Sequence, residues 1–179
     1  AQVRAMKPLP VPPAASRSSS RPHLLPLLEA TLETVIEAAR RLLERSPRTS
    51  TIPPSIVAQN GTAGIIAELA QHQPGVAIAS ELAIYSANIA AVVQMPVGLL
   101  FGRMGVALAL RAAARSAGAT EPADAAAQLL PSAADVSANG LYDLSHGLAG
   151  LGIGYLVFAE SCGEDARASL ARAEPERHC

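Results

Sequence analysis

Few side chains in this sequence could carry reactive chemistry, and the best placed of them is His146. It follows Asp143 by three residues in LYDLSHGLAG. An imidazole exchanges protons near neutral pH, and a carboxylate at that spacing either orients the ring or caps the helix that follows. A proton-transfer role and a plain hydrogen-bonded structural role both fit His146. Arg103, within FGRMG, can grip a carboxylate or phosphate bidentately, and it can equally form a surface salt bridge. Cys162 has no second sulfur or histidine at ligand spacing, so neither a metal nor another cofactor is expected. Its expected role is packing as a small buried hydrophobe.

His146 also opens the last of three X-Gly-x-x-Gly stretches, NGTAG, FGRMG and HGLAG. Their glycines are Gly61 and Gly64, Gly102 and Gly105, and Gly147 and Gly150, and each stretch leads into small and aliphatic residues. The first glycines are 41 and 45 residues apart. A period in this range marks a helical-hairpin repeat. The first glycine of each pair suits a positive φ at the corner or a close backbone approach. The second removes a side chain one turn into the helix, where a neighbouring helix can then touch. A phosphate cradle is the rival, since helix N-termini attract anions, but no Lys-[Ser/Thr] follows as in a P-loop.

These corners must be set by helices. Over Leu24–Arg45, the apolar residues Leu28, Leu32, Val35, Ile36, Ala39, Leu42 and Leu43 recur at the helical period. Glutamates come early and arginines late, as the helix dipole favours, and Glu37 is spaced to pair with Arg41. Ser46-Pro47 ends the helix. The spacing then predicts helices from NGTAG to about His72, from Ile78 to Val93, and from FGRMG to Ala117, with Gly118 closing the last. A short helix is expected near Ala123–Leu130, then a polar loop over Pro131–Gly140. HGLAG starts a helix through Glu160, and Gly163 separates it from a final stretch at Glu164–Ala173. The more polar helices belong outside and those apolar all round inside.

Composition supports an all-α class. Half of the 179 residues are hydrophobic, yet there is no Trp, with only 2 Phe and 3 Tyr, so bulk comes from Leu, Ile, Val and Ala. Residues 1–22 are rich in Pro, Ser and Arg and read as a disordered linker, leaving residues 23–179 as one helical domain. All the basic excess lies in that linker, which argues against a nucleic-acid surface on the folded part. Glu81, Asn88, Gln94, Pro96 and Arg103 interrupt the most apolar stretch, so no membrane span is expected. No segment reads as a secretion signal, and the low cysteine content points to a reducing, cytoplasmic setting.

Together LYDLS-HGLAGLGIGYL, GLLFGRMGVALAL and IVAQNGTAGIIAELA resemble the lanthionine synthetase C-like (LanC-like) family. The likeness is nearest to the cyclase domain of class III lanthipeptide synthetases and covers about Leu24 to Ala173. It implies an α/α-toroid with glycine signatures at the inner-helix starts. It also implies addition of peptide cysteine thiols to dehydroalanine or dehydrobutyrine, with His146, which matches the family's His-Gly signature, as acid or base; beside it Asp143 is the candidate catalytic partner and Arg103 the candidate substrate contact. The Cys-Gly and Cys-His-Gly signatures of zinc-dependent members are missing, as they are in class III enzymes. Such a ring closes with about seven hairpins, roughly 300 residues at this period, so about three repeats imply a partial toroid. The implied partners are a precursor peptide and, to complete the ring, a kinase- and lyase-bearing synthetase or a second copy. A non-catalytic scaffold that holds a precursor or synthetase is the alternative.

Overall fold

The computed structural model describes residues 24–44 and 56–173. The Pro/Ser/Arg-rich stretch over residues 1–22 and the helix stop at Ser46-Pro47 lie outside them. All the secondary structure among the described residues is helical. The α-helices are α1 (Leu24–Glu44), α2 (Thr62–Leu69), α3 (Val76–Ala90), α4 (Arg103–Ala117), α5 (Glu121–Leu129), α6 (Ala133–Ala138) and α7 (Leu148–Ala173), with a 3-10 turn at Gln73–Gly75.

The helices form two rows. In one, α3 packs between α1 and α5; in the other, α4 packs between α2 and α7. The rows meet through α1 on α2, α3 on both α2 and α4, and α5 on α4. The core lies between them. Ile66 and Leu69 of α2, Leu82 of α3 and Val106 and Leu110 of α4 are fully buried there. Each such side chain contributes about 1.5–3 kcal/mol through removal from water. Alanines fill the remaining space: Ala63, Ala79, Ala83, Ala107 and Ala113 are all at 0% exposure, which lets the helix axes approach closely. One polar pair crosses this interface, with the Thr62 and Ser86 hydroxyls 2.6 Å apart and buried.

In α1 the amphipathic expectation holds along most of the helix. Ile36 and Ala39 are buried, while Leu32, Val35, Leu42 and Leu43 pack partly against the core. Arg41 Nε donates to Glu37 Oε1 at 3.0 Å. Leu28 departs from the pattern: with Leu25 and Leu27 it is exposed.

Three further expectations are corrected. Gly163 does not interrupt α7, which runs from Leu148 to Ala173 without a break, because a helical glycine costs only about 1 kcal/mol relative to alanine. The polar loop after α5 contains a helix, α6, started by a capping box. Ser132 Oγ accepts from Asp135 N–H at 3.2 Å, and Ser132 N–H donates to Asp135 Oδ2 at 2.8 Å. Cys162 is exposed rather than buried. Gly118, by contrast, ends α4 as expected, in the left-handed region at φ 65°.

No helix among the described residues is long and apolar enough to cross a membrane.

Candidate functional site

The three glycine motifs sit at the starts of α2, α4 and α7, so one row presents all of them at the same end. Their local geometry repeats. A Cβ on Gly64, Gly105 or Gly150 would collide with the carbonyl oxygen six residues upstream, on Ala58, Leu99 and Leu144 respectively. The first glycines are held likewise, Gly102 under the Pro96 carbonyl and Gly147 under that of Leu141. Those two carbonyls also accept the first free helical N–H groups, from Arg103 at 2.8 Å and Leu148 at 2.9 Å. Each loop thus folds back over the helix it starts, and glycine alone leaves room.

This decides between the two roles expected of the first glycines. Gly61 and Gly102 have φ −142° and −150°, an extended backbone open to any residue, so positive φ is not the reason for glycine there. At Gly102 the reason is close approach. The principal contact of the second glycines is their own preceding loop. A further contact comes from the neighbouring loop rather than from a neighbouring helix, through the Cβ of Ala58 at Gly105 and of Leu99 at Gly150.

Adjacent loops are stitched together at matching positions. Gln59 N–H donates to the Leu100 carbonyl at 3.1 Å, and Leu100 N–H donates to the Ser145 carbonyl at 3.0 Å. Gln59, Leu100 and Ser145 each stand two residues before a first glycine. The residues immediately before those glycines, Asn60, Phe101 and His146, therefore form a row along the loop edge. The Phe101 and His146 rings stack at 4.8 Å between centroids, with planes 7° apart. Phe101 was not among the residues singled out from the sequence. The signal was its place ahead of Gly102, matching that of His146 ahead of Gly147.

Asp143 serves the backbone. Its Oδ1 accepts from Ser145 N–H at 2.7 Å and His146 N–H at 2.8 Å, and His146 Nδ1 lies 3.6 Å away, beyond a hydrogen bond. Those N–H donors, His146 foremost, hold the Asp143 carboxyl below its ordinary range against a smaller opposing effect of burial. The His146 carbonyl accepts from Asn139 Nδ2 at 2.8 Å. The loop is therefore fixed on both sides of His146, while the imidazole itself is half exposed.

Arg103 is turned to a different partner. Its Nη2 lies 2.9 Å from Asp135 Oδ1, so the guanidinium ties the start of α4 to α6. Its Nε is buried without a hydrogen-bond partner. Asp135 also accepts from the Ser132 N–H and hydroxyl, and these bonds, with Arg103, lower its pKa from 3.8 to about 2.

Two hollows lie elsewhere. One runs along Glu33, Glu37 and Arg41 on the face of α1, and a smaller one lies between α1 and the start of α3 at Pro74, Ile78 and Glu81. Both are open, and neither touches a glycine loop. Among the described residues no group of three or more His, Cys, Asp or Glu is placed to hold a metal ion. What the loop edge offers chemically is one accessible imidazole, ring-stacked and held at a helix start. Comparison with protein-family models and with curated proteins finds no match for this chain.

Proposed function

We propose that the chain is a LanC-like cyclase unit, a section of an α/α-toroid that closes thioether rings in a dehydrated precursor peptide. The observation that carries this reading is the repeated loop geometry, which sets Asn60, Phe101 and His146 in one row at the starts of α2, α4 and α7. A family signature at each inner-helix start would produce such a row. In the reaction, a cysteine thiolate adds to the β-carbon of dehydroalanine, the C–S bond forms, and the alkene electrons move to an enolate. A proton then goes to the α-carbon, balancing the one lost by the thiol. His146 is placed to deliver it. The start of α7 beside it favours the developing enolate charge. The work belongs in the cytoplasm, where precursor thiols remain reduced.

The test is incubation of the full chain with a dehydrated precursor peptide while free thiols are counted. Loss of thiols at unchanged peptide mass, abolished by His146→Ala, supports the cyclase. Unchanged thiols overturn it.

A second reading, a scaffold that binds the precursor or a synthetase without chemistry, is favoured by a specific observation. Asp143 is engaged with backbone N–H groups and Arg103 with Asp135, so both serve the structure. Peptide binding without thiol loss would support it.

A further inference from the structure

The row α2, α4, α7 has two unlike edges, and they match each other. On α4, Met104 lies against Gly154, and Arg111 donates to Ser161 at 3.2 Å and covers the Phe158 ring, so both face α7. The corresponding α7 residues, 45 further on, are Ala149 and Leu156. Both are exposed, with Gly152, Ile153 and Val157 between and beside them. α7 thus presents to solvent the face with which α4 holds its successor.

The loops continue the same argument. Ala58 seats its Cβ at Gly105, and Leu99 seats its Cβ at Gly150. Leu144 is the next in that series and is 49% exposed. At the opposite edge, a Cβ on Gly64 would meet only Ala58 backbone atoms among the described residues. Among the described residues, one edge has a side chain without a glycine seat, and the other has a seat without a side chain. The backbone ladder ends consistently, because Ser145 N–H donates to Asp143 Oδ1 where Gln59 and Leu100 donate to the next loop.

We infer that a second copy of this chain docks its α2 edge on the α7 edge, continuing the row in the register already used twice. Leu144 meets the second copy's Gly64, and Ser145 N–H passes from Asp143 to the second copy's Gln59 carbonyl. The contact is heterologous, so it closes into a ring or runs on as an open chain. It weakens itself at one point. Glu68, ion-paired with His72 at 3.0 Å, stands where later repeats have Ala109 and Gly154, and docking strips water from it. The inference does not need the cyclase chemistry, although it carries the row of loop-edge residues past His146.

Sedimentation velocity over a concentration series tests it. The full chain should gain mass with concentration. L144D/L156D, altered only at exposed positions and checked for helix content by circular dichroism, should stay monomeric. It keeps its α2 edge, so added to the unaltered chain it should shorten the assemblies. Glu68→Ala should tighten association by about tenfold, since it removes the desolvation cost. A chain that is monomeric throughout would overturn the proposal. So would association indifferent to Glu68→Ala, the mark of a two-fold α7-to-α7 contact. The thiol assay is separate, so failure of docking and failure of cyclisation are distinguishable.

Discussion

Phe101 and His146 are parallel rings, 4.8 Å apart, contributed by two consecutive repeats from the same position ahead of a glycine. A stacked aromatic pair is worth about 0.5–1.5 kcal/mol beyond its area, enough to hold a half-exposed imidazole in one orientation. Phe101→Leu keeps an apolar side chain and removes the stack. The His146 ring protons should lose their ring-current shift in the NMR spectrum, while the amide spectrum of α4 stays in place. If His146 is the proton donor, the cyclisation rate should fall by up to about tenfold with KM little changed.

The glycine contacts predict a split among substitutions that look alike in sequence. Gly105→Ala drives a methyl group into the Leu99 carbonyl and against Ala58, and backbone cannot yield cheaply. Overpacking of this kind costs about 1–3 kcal/mol. Gly163→Ala meets nothing within 4 Å and should stabilise by about 0.5–1 kcal/mol, since alanine loses less entropy in a helix. Urea denaturation of the two variants checks both signs.

Asp135 gives a pH prediction. Its folded pKa of about 2 is below the ordinary 3.8, so the folded state binds this proton less readily than the unfolded chain. The contribution is therefore complete above about pH 4 and is lost as pH falls through about 2. Carboxyl NMR should show Asp135 titrating near 2, with the α6 amides moving in the same range. Asp135→Asn should remove that titration and release Arg103 from α6. A titration at the ordinary carboxylate value would contradict the Arg103 anchor.

The helices were legible because periodicity and breakers agree. Leu32 through Leu43 mark one face of α1, and Gly118 supplies a left-handed stop that few other residues tolerate. The motif spacing likewise located the three helix starts. The exact glycine chemistry was not legible, since an extended corner and a positive-φ corner use the same residue, and only coordinates show which carbonyl lies over each Cα. The α6 cap was written in Ser132 and Asp135, but six helical residues are too few for a hydrophobic period to stand out. The burial of α7 was misjudged for a different reason. A helix apolar all round predicts neighbours on every side, yet Ile153, Leu156 and Val157 are exposed. Composition records what a helix is made to pack against, and whether that neighbour is present depends on other chains or other repeats.

Asp143 separates the structural and chemical accounts of the site. In the structure its carboxylate oxygen accepts two backbone N–H groups and stands clear of the imidazole. Asp143→Asn retains a side-chain oxygen for both donors, so the loop should keep its conformation. Asp143→Ala leaves both loop donors to water and should lower the melting temperature. If Asp143 only holds the loop, the Asn variant should cyclise peptide at the unaltered rate and bind it equally well. If its negative charge also assists His146, the Asn variant should lose activity with its melting temperature unchanged. The geometry favours the first outcome, because the carboxylate oxygen nearest Nδ1, 3.6 Å away, is already held by two N–H donors. Thermal melts run beside the thiol assay on the two variants decide between them.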